Sequence, residues 1–350
     1  MGGAMRTGLR ARDTLGVPRL PGLDTRPFGR VFACIKDVAA ADGVAEAAAE
    51  IASDSGAALH LARVLPGSGG EGVVADPVDW DIARRAAARD LEGRAEGLPP
   101  GLAEAVPDLA IDVLSGLPVP ALLHAIAEAG ADLVVLGRGR SRPPGRPRLG
   151  GIARAVAMAV EGSVMVVPSR PRPGAAPGRS VLVAVDGSPH SQAALCVARR
   201  IAGVRHADLV LLHALSDPTL AFEGPPDPED TALRARLRER NARVARQRLE
   251  LIRPVMPDGE GAVGSRLRLV EGGDPREMIA RAVAEEGAGL LVIAARGSGR
   301  TTDLSIGSTA DYLLSACSVP VLMVRGRVGR TPEQTRARVP RSRRPARGVA

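Results

Sequence analysis

The sequence predicts an α/β fold of two tandem domains, each an open-twisted five-stranded parallel sheet, Rossmann-like and doubly wound, with helices on both faces. Three observations predict it. Residues 31–65 align without a gap on residues 181–215 at an offset of 150, and the stretch from Gly116 aligns on the stretch from Gly273 at an offset of 157. Short apolar strands alternate with helical patterns in both copies. The 350 residues are also enough for two cores.

The first copy predicts five strands and four helices in alternation. Its strands are apolar through their whole length, which is typical of a parallel sheet covered on both faces. Right-handed crossovers between such strands give a doubly wound domain. In chain order the elements are strand 31–35, helix 39–53, strand 57–65, helix 76–97, strand 109–114, helix 119–129, strand 133–136, helix 150–160 and strand 164–167.

The second copy repeats this order and fixes the domain boundaries. We place the first domain at 29–169 and the second at 180–325, joined by a Pro-rich linker at 170–179. Residues 1–28 and 326–350 lack apolar periodicity, and we expect both tails to be disordered. The elements of the second copy are strand 181–185, helix 191–202, strand 208–215, helix 230–252, strand 265–270, helix 275–286, strand 290–293, helix 308–317 and strand 321–324.

The composition separates the two bodies from the tails. One Trp, one Tyr and three Phe leave the core to Ala, Val, Leu and Ile. The net charge of +8 lies in the tails, because residues 325–350 hold nine Arg and one Glu whereas residues 31–324 are slightly acidic. The Arg-rich tail is predicted either to bind nucleic acid or another anionic partner electrostatically, or to be a solubilising extension.

Cysteine usage and hydropathy bear on the compartment. Cys34, Cys196 and Cys317 form no CxxC pair, which fits buried thiols in a reducing interior. We find no apolar run of 18 or more residues and no apolar core behind the N-terminal arginines, so no membrane span and no secretory signal are predicted. These observations favour a cytoplasmic protein.

Candidate ligand-binding residues gather where strands of the second copy end. In a doubly wound sheet, ligands bind at the carboxyl ends of the strands, near the point where strand order reverses. The first, second and fourth strands of this copy, and the helix after the fourth strand, all contribute there. The candidate nucleotide-binding residues are Val185, Asp186, Ala214, Ala294, Arg296, Gly297, Gly299, Gly307, Ser308 and Thr309.

The chemistry of these residues favours a polyphosphate ligand. Glycines let the backbone approach an anion, and the free N–H groups of a helix N-terminus beside Ser308 attract it. A carboxylate at Asp186 would repel phosphate, so we assign it to the hydroxyls of a ribose. Two alternatives remain open: Ser308 and Asp311 also match a Ser-x-x-Asp helix cap, and glycine-rich turns occur without ligands.

One other class of nucleotide site is excluded, and a second is disfavoured. A P-loop needs a lysine before its Ser or Thr, and the chain's one lysine is Lys36, in the other copy. A G-x-G-x-x-G sequence is also missing after the first strand of either copy, which argues against a dinucleotide site.

The spacing of the glycines resembles that of the ATP-binding universal stress protein family. That family's pattern is G-x2-G-x9-G-[ST] after the fourth strand with V-[AP]-V-D-G-S at the first, and this chain has Ala294 for the first glycine. The resemblance implies ATP, optionally with Mg²⁺: adenine near Ala214, ribose on Asp186, phosphates on Gly297, Gly307 and Ser308. It also implies a regulatory role in the stress response and an unidentified protein partner.

The first copy departs from this pattern at the equivalent positions. Lys36 replaces Asp186, Gly151 replaces Ser308, and Arg140 replaces Gly297, within a loop that carries Pro143, Pro144 and Pro147. We therefore expect no ATP binding there in the family's manner. One alternative stays open, since a cluster of cations could hold phosphate by charge. Its members are Lys36, Arg138, Arg140, Arg142 and Arg148.

No residue is predicted to be catalytic, and no His/Cys/Asp spacing indicates a metal site. Ser188 lies between Asp186 and His190 but lacks a G-x-S-x-G elbow, so we expect it to cap a helix. His213 either packs at the sheet edge or contacts the ligand. Two other functions remain in view: a slow ATPase or phosphotransferase, and an interaction scaffold that has lost nucleotide binding.

The resemblance also implies how the domains assemble. In the family, the fifth strand commonly pairs domains across a two-fold axis. Residues 164–167 and 321–324 would pair in this way inside the one chain and make a pseudo-dimer, with a further homodimer through the fifth strands as an open alternative.

Overall fold

The computed structural model describes residues 27–36, 42–65, 76–139, 149–168, 180–218, 227–253, 264–297 and 306–325. The linker 170–179, the tail 326–350 and the N-terminal tail as far as residue 26 lie outside the described residues. Gly299 also lies outside the described residues. So do several positions of the first copy named above, which are Arg140, Arg142, Pro143, Pro144, Pro147 and Arg148.

The first domain has the predicted order of strands and helices, with one addition. The short helix α3 is not predicted from the sequence; it begins at Pro100, a position that needs no N–H group. The elements are β1 Arg30–Cys34, α1 Asp42–Ser55, β2 Ala58–Leu65, α2 Pro77–Glu96, α3 Pro100–Ala105, β3 Leu109–Ser115, α4 Pro118–Ala129, β4 Leu133–Arg138, α5 Gly151–Ala159 and β5 Ser163–Pro168.

The second domain also follows its predicted order. Three of its four helices begin with a proline directly after a Ser or Asp cap, which favours those start points. The elements are β6 Val181–Ala184, α6 Pro189–Val204, β7 Leu209–Leu215, α7 Pro228–Ile252, β8 Ser265–Glu271, α8 Pro275–Glu285, β9 Leu290–Ala294, α9 Ser308–Ala316 and β10 Val321–Val324.

Each domain contributes five parallel strands, and the two sheets join into one. The strand order is β3-β2-β1-β4-β5-β10-β9-β6-β7-β8. All pairings within a domain are parallel, and β5 pairs with β10 in the antiparallel sense. This confirms the α/β doubly wound fold class. In each domain the strand order reverses between the first and fourth strands. These are β1 and β4 in the first domain, and β6 and β9 in the second.

The join between the domains follows the internal repeat. Leu322 lies opposite Met165, and the offset of 157 makes these two equivalent positions, so a pseudo-two-fold axis passes between them. This confirms that the fifth strands pair inside the chain. Because β5 lies between β4 and β10, and β10 between β5 and β9, both edges of each strand are occupied. A homodimer through the fifth strands would need an arrangement in which one of these edges is free, and it stays a prediction.

Two apolar clusters cover the two faces of the common sheet. One packs α1, α2, α3, α6 and α7 against one face, and the other packs α4, α5, α8 and α9 against the opposite face. Both clusters take residues from both domains, and alternate residues of the central strands enter alternate clusters. The described helices include none that is long and apolar enough to cross a membrane.

Two details differ from the sequence analysis. The outermost strands β3 and β8 contain no fully buried residue, because they are covered by a neighbouring strand on one side only. The expectation of strands apolar throughout is therefore wrong for these two. Phe28, which the boundary at residue 28 left in the tail, is 4% exposed and packs in the core of the first domain.

Candidate functional site

The point where strand order reverses in the second domain lies between β6 and β9, and the chain leaves β6 there in a tight turn. Val185 is 3% exposed, and its N–H donates to the Leu212 carbonyl at 2.9 Å. Gly187 has a φ of +80°, which only glycine adopts without strain. The buried end of the strand and this turn together fix where Asp186 lies.

The carboxylate of Asp186 is held within the turn. Its Oδ1 accepts the Ser188 N–H at 2.9 Å, while its own N–H donates to Ser191 Oγ at 3.4 Å. The Ser188 hydroxyl in turn accepts the Ser191 N–H at 3.2 Å and is the N-cap of α6. The predicted capping role of Ser188 is confirmed.

Gly297, which follows β9, lies directly against Asp186. A Cβ atom at Gly297 would be 2.6 Å from Asp186 Oδ2, a separation that carbon and oxygen atoms do not tolerate. The Ser188 N–H restrains the carboxylate from moving away. A side chain at position 297 would therefore displace either the carboxylate at the end of β6 or the backbone that follows β9. Asp186 and Gly297 form the centre of the candidate site.

The helix α9 begins beside this centre without a side-chain cap. Gly307 is its N-cap, with a φ of −71° and a ψ of 155°, and the Gly307 N–H donates to the Ala295 carbonyl at 2.8 Å. Ser308 is therefore the first helical residue, and it is exposed. The alternative in which Ser308 and Asp311 form a helix cap is wrong, because the cap falls one residue earlier. Thr309 follows in the first turn and is half-buried.

Ala294, the departure from the family's glycine pattern, directs its methyl group into the core. It is half-buried and packs against the same apolar cluster as α6. The equivalent residue of the first domain is Gly137, where a Cβ atom would be 3.1 Å from the Val44 side chain. The second domain has the smaller Ala194 at the position equivalent to Val44. The larger residue on the strand, Ala294 for Gly137, is thus accommodated by a smaller residue on the helix, Ala194 for Val44.

The end of β7 adds His213 and Ala214. His213 Nδ1 lies 2.6 Å from the Val185 carbonyl oxygen, and because a carbonyl only accepts, Nδ1 carries the proton. His213 therefore joins the ends of β6 and β7, as its packing alternative predicted. Ala214 is half-buried and lies on the other face of the sheet from His213. In the pairing of β7 with β8, its partner is Val270.

Two arginines bring positive charge to the ends of β9 and β10. Arg296 is exposed directly after β9. Arg325 is half-buried, and its guanidinium donates to the carbonyls of Ala157 and Val160 at the end of α5. Burial, followed by repulsion from Arg296, lowers the pKa of Arg325. Sequence analysis made Arg325 the last residue of the second domain but counted its charge with the tail, since the local sequence gives no sign that this one arginine is enclosed.

The equivalent region of the first domain has a different arrangement. Lys36 is exposed at the position of Asp186. Arg138, one of the cations that could have held phosphate, donates instead to the second domain, to the carbonyl oxygens of Ser315 at 2.9 Å and Cys317 at 2.5 Å. Burial lowers the pKa of Arg138. The charge alternative for a phosphate in the first domain therefore loses this member of its cluster.

No metal-binding cluster is found in the described part of the chain, where His, Cys, Asp and Glu form no group of three or more suited to an ion.

Comparison with known proteins identifies relatives of both halves. The sequence model of the Universal stress protein family matches residues 27–168 and 178–325. A universal stress protein of Thermus aquaticus is 33% identical over 147 residues, which are 42% of this chain and 98% of that protein. One from Mycobacterium tuberculosis is 27% identical over 261 residues, 71% of this chain and 80% of that protein.

The solved structures agree on the architecture. The crystal structure of a universal stress protein from Archaeoglobus fulgidus superposes with a TM-score of 0.56 and 16% identity, over 85% of this chain and 98% of that one. At this identity the likeness shows the fold, and it extends over both domains.

Proposed function

The chain belongs to the universal stress protein family, and from that premise we propose that it is a stress-response regulatory protein that binds ATP in its second domain. The observation that carries the proposal is the contact of Gly297 with the Asp186 carboxylate, next to the helix N-terminus at Gly307. In the proposed site, the Asp186 carboxylate would bind a sugar and the helix N-terminus would bind phosphates, near the point where strand order reverses.

The proposed phosphate subsite is the beginning of α9. Within the described residues, no side chain caps the first-turn N–H groups of this helix. Those groups and the Ser308 hydroxyl would donate to phosphate oxygens, and Arg296 would add positive charge. Gly299, which falls outside the described residues, stays in the proposed subsite from its place in the sequence.

The proposed sugar and base subsites lie at the ends of β6 and β7. A carboxylate offers about four lone-pair positions, so Asp186 can serve the Ser188 N–H and still accept from ribose hydroxyls. Val185 and Ala214 would flank the adenine, with recognition through the backbone. The methyl group of Ala294 packs into the core. Alanine in place of the family's first glycine would therefore leave the proposed site open to ATP.

The proposed mechanism is regulation by binding. ATP would bridge the ends of β6 and β9 with the beginning of α9, and so change the surface there that an unidentified protein partner contacts. Mg²⁺ would arrive with the nucleotide. We assign no catalytic residue, because the Ser188 hydroxyl is used in capping α6. ATP turnover that disappears on Asp186→Ala would favour a slow ATPase instead.

We also propose that the protein works in the cytoplasm. Its three cysteines are free. Burial raises the pKa of Cys34 and that of Cys317 to about 12, so both stay as unreactive thiols. Such thiols fit a reducing compartment.

The experiment that tests the proposal compares equivalent positions of the two domains. We expect Asp186→Ala to weaken ATP binding at least about tenfold, since it removes a charge-assisted acceptor in a half-buried site. Lys36→Ala, the matched variant of the first domain, should leave the Kd unchanged. Isothermal titration of the nucleotide-stripped protein measures both. Loss only with Lys36→Ala would move the site to the first domain, and equal loss in both variants would show that both domains take part in binding. Either result would overturn the proposal.

A further inference from the structure

The helix α9 connects the proposed phosphate subsite to the first domain. It begins at Ser308, beside Asp186 and Gly297, and ends at Ala316. The carbonyls of its last turn accept hydrogen bonds from Arg138 of the first domain. A cation at this end of a helix is favourable, because the carbonyl end of the helix dipole is negative. Each end of α9 therefore lies at a different functional region of the chain.

Two more contacts hold the side of α9 against the first domain. The Leu149 N–H donates to Ser315 Oγ at 3.2 Å, and that hydroxyl donates to the Asp311 carbonyl at 3.0 Å. Arg154 Nη2 lies 3.2 Å from Asp311 Oδ2. The first domain thus contacts the helix from a strand end, a loop and α5, which restrains both its position and its rotation.

The contacting groups come from the part of the first domain that corresponds to the nucleotide site of the second. By the offset of 157, Arg138 is equivalent to Ala295 and Leu149 to Ile306. These two residues flank the loop after the fourth strand. In the first domain this region lacks the family's Asp and Ser, and its ends contact α9 instead.

A second helix of the nucleotide site has the same relation to the first domain. α6 begins at the Asp186 turn, and its C-cap Arg205 pairs with Asp54 at 2.6 Å and with Glu50 at 3.3 Å, both on α1. Both helices that start at the proposed site therefore end on the first domain.

We propose that Arg138 is a positioning residue for the nucleotide site of the second domain, and that the first domain thereby controls how tightly that site binds ATP. This inference rests on the proposed function. A nine-residue helix is about 14 Å long, so the charge of Arg138 is too distant to attract the phosphates strongly. Its effect is mechanical: it fixes the direction in which the first-turn N–H groups point. By linkage, ATP bound at one end of α9 must strengthen the contacts at the other end.

The first test measures ATP affinity in the full chain. Arg138→Gln removes the charge and one arm of the guanidinium, and we expect the Kd for ATP to rise about fivefold or more, the usual lower range of coupling between sites. Arg138→Lys keeps the positive charge but lacks the planar pair of N–H donors of a guanidinium. It should recover part of the lost ATP affinity. The control is Arg63→Gln: Arg63 is also in the first domain, 11% exposed, and pairs with Asp90 at 3.2 Å within that domain. It should leave the Kd unchanged.

The second test needs no variant. The exchange rate of the Leu149 amide hydrogen, which bonds to Ser315 Oγ, should fall when ATP is added to the wild-type protein. A purely structural interface would give no ATP dependence at this amide. If Arg138→Gln does not fold, this measurement alone decides the inference.

The outcomes separate this inference from the proposed function. Wild-type protein that binds no ATP overturns both. ATP binding with the same Kd in Arg138→Gln as in wild type, or with unchanged exchange at Leu149, overturns only the inference. A weaker Kd in Arg138→Gln, together with slower exchange at Leu149 on adding ATP to wild type, supports it.

Discussion

At the scale of single residues, the Asp186 carboxylate and Gly297 depend on each other. The carboxylate is held by the Ser188 N–H, and the backbone of Gly297 passes it at a distance that leaves no room for a side chain. Glycine at position 297 leaves room for the carboxylate, and in the proposed site it would also let the backbone approach the nucleotide. The first role follows from the packing alone.

This contact predicts the effect of adding one methyl group. Gly297→Ala places a carbon 2.6 Å from Asp186 Oδ2, so either the loop or the carboxylate must move. We expect about 1–3 kcal/mol lower free energy of unfolding, the usual cost of overpacking, and ATP binding more than about tenfold weaker because Asp186 is displaced. Chemical denaturation and isothermal titration measure these two quantities.

Gly203→Ala is the control for that variant. Gly203 lies within α6, and a Cβ atom there would meet nothing within 4 Å. Replacing it should stabilise the protein by about 0.5–1 kcal/mol, because alanine favours helix, and should leave ATP binding unchanged. Equal stability changes in the two variants would show that the Gly297–Asp186 contact is not as close as described.

At the scale of elements, an ion pair joins α5 and α9 across the pseudo-two-fold axis. Arg154 and Asp311 occupy equivalent positions in the two domains, and they lie 3.2 Å apart. Two identical domains paired in this way would place like charges opposite each other. The divergence of the two copies therefore favours pairing of the first domain with the second.

A charge exchange tests this pairing. Asp311→Arg places two arginines together and should lower the free energy of unfolding by about 0.5–1 kcal/mol, since the pair is partly exposed at 56% and 33%. Arg154→Asp combined with Asp311→Arg should restore most of the loss. A double-mutant cycle from denaturation curves gives the coupling energy. A coupling energy of zero would mean that this pair has no part in choosing the partner.

Sequence patterns were sufficient for every element except α3 and for part of the site. The apolar runs and the repeat predict every strand to within about two residues, because each buried strand must be apolar and bounded by turns. The start of α9 shows the limit: Ser-x-x-Asp fits a cap at Ser308, yet the cap lies at Gly307, a shift of one residue that sequence pattern does not resolve.

The contacts between segments that are distant in the chain could not be predicted from sequence patterns. That Gly297 lies against Asp186, that His213 bonds to Val185 and that Arg138 reaches α9 all depend on how strands and domains come together. The sequence shows residue types at strand ends, but which of two arginines faces solvent and which faces a helix end is decided by packing.

At the scale of the whole molecule, the two domains form one continuous sheet with two shared apolar layers. β5 and β10 lie at its centre, so the chain contains within itself the pairing that would otherwise join two copies. The second domain has Asp186, Gly297, Gly307 and Ser308 at the proposed site, whereas the first domain has Lys36 in place of Asp186 and directs Arg138 to α9. One domain is thus proposed to bind ATP and the other to support it.

The number of ATP molecules bound per chain tests this division of labour most directly. Isothermal titration of the purified, nucleotide-stripped protein should give one site per chain, and that site should be lost in Asp186→Ala. A stoichiometry of two would show that the first domain also binds ATP, and no binding would show that neither domain does. Either result would contradict the central claim that the second domain alone binds the nucleotide.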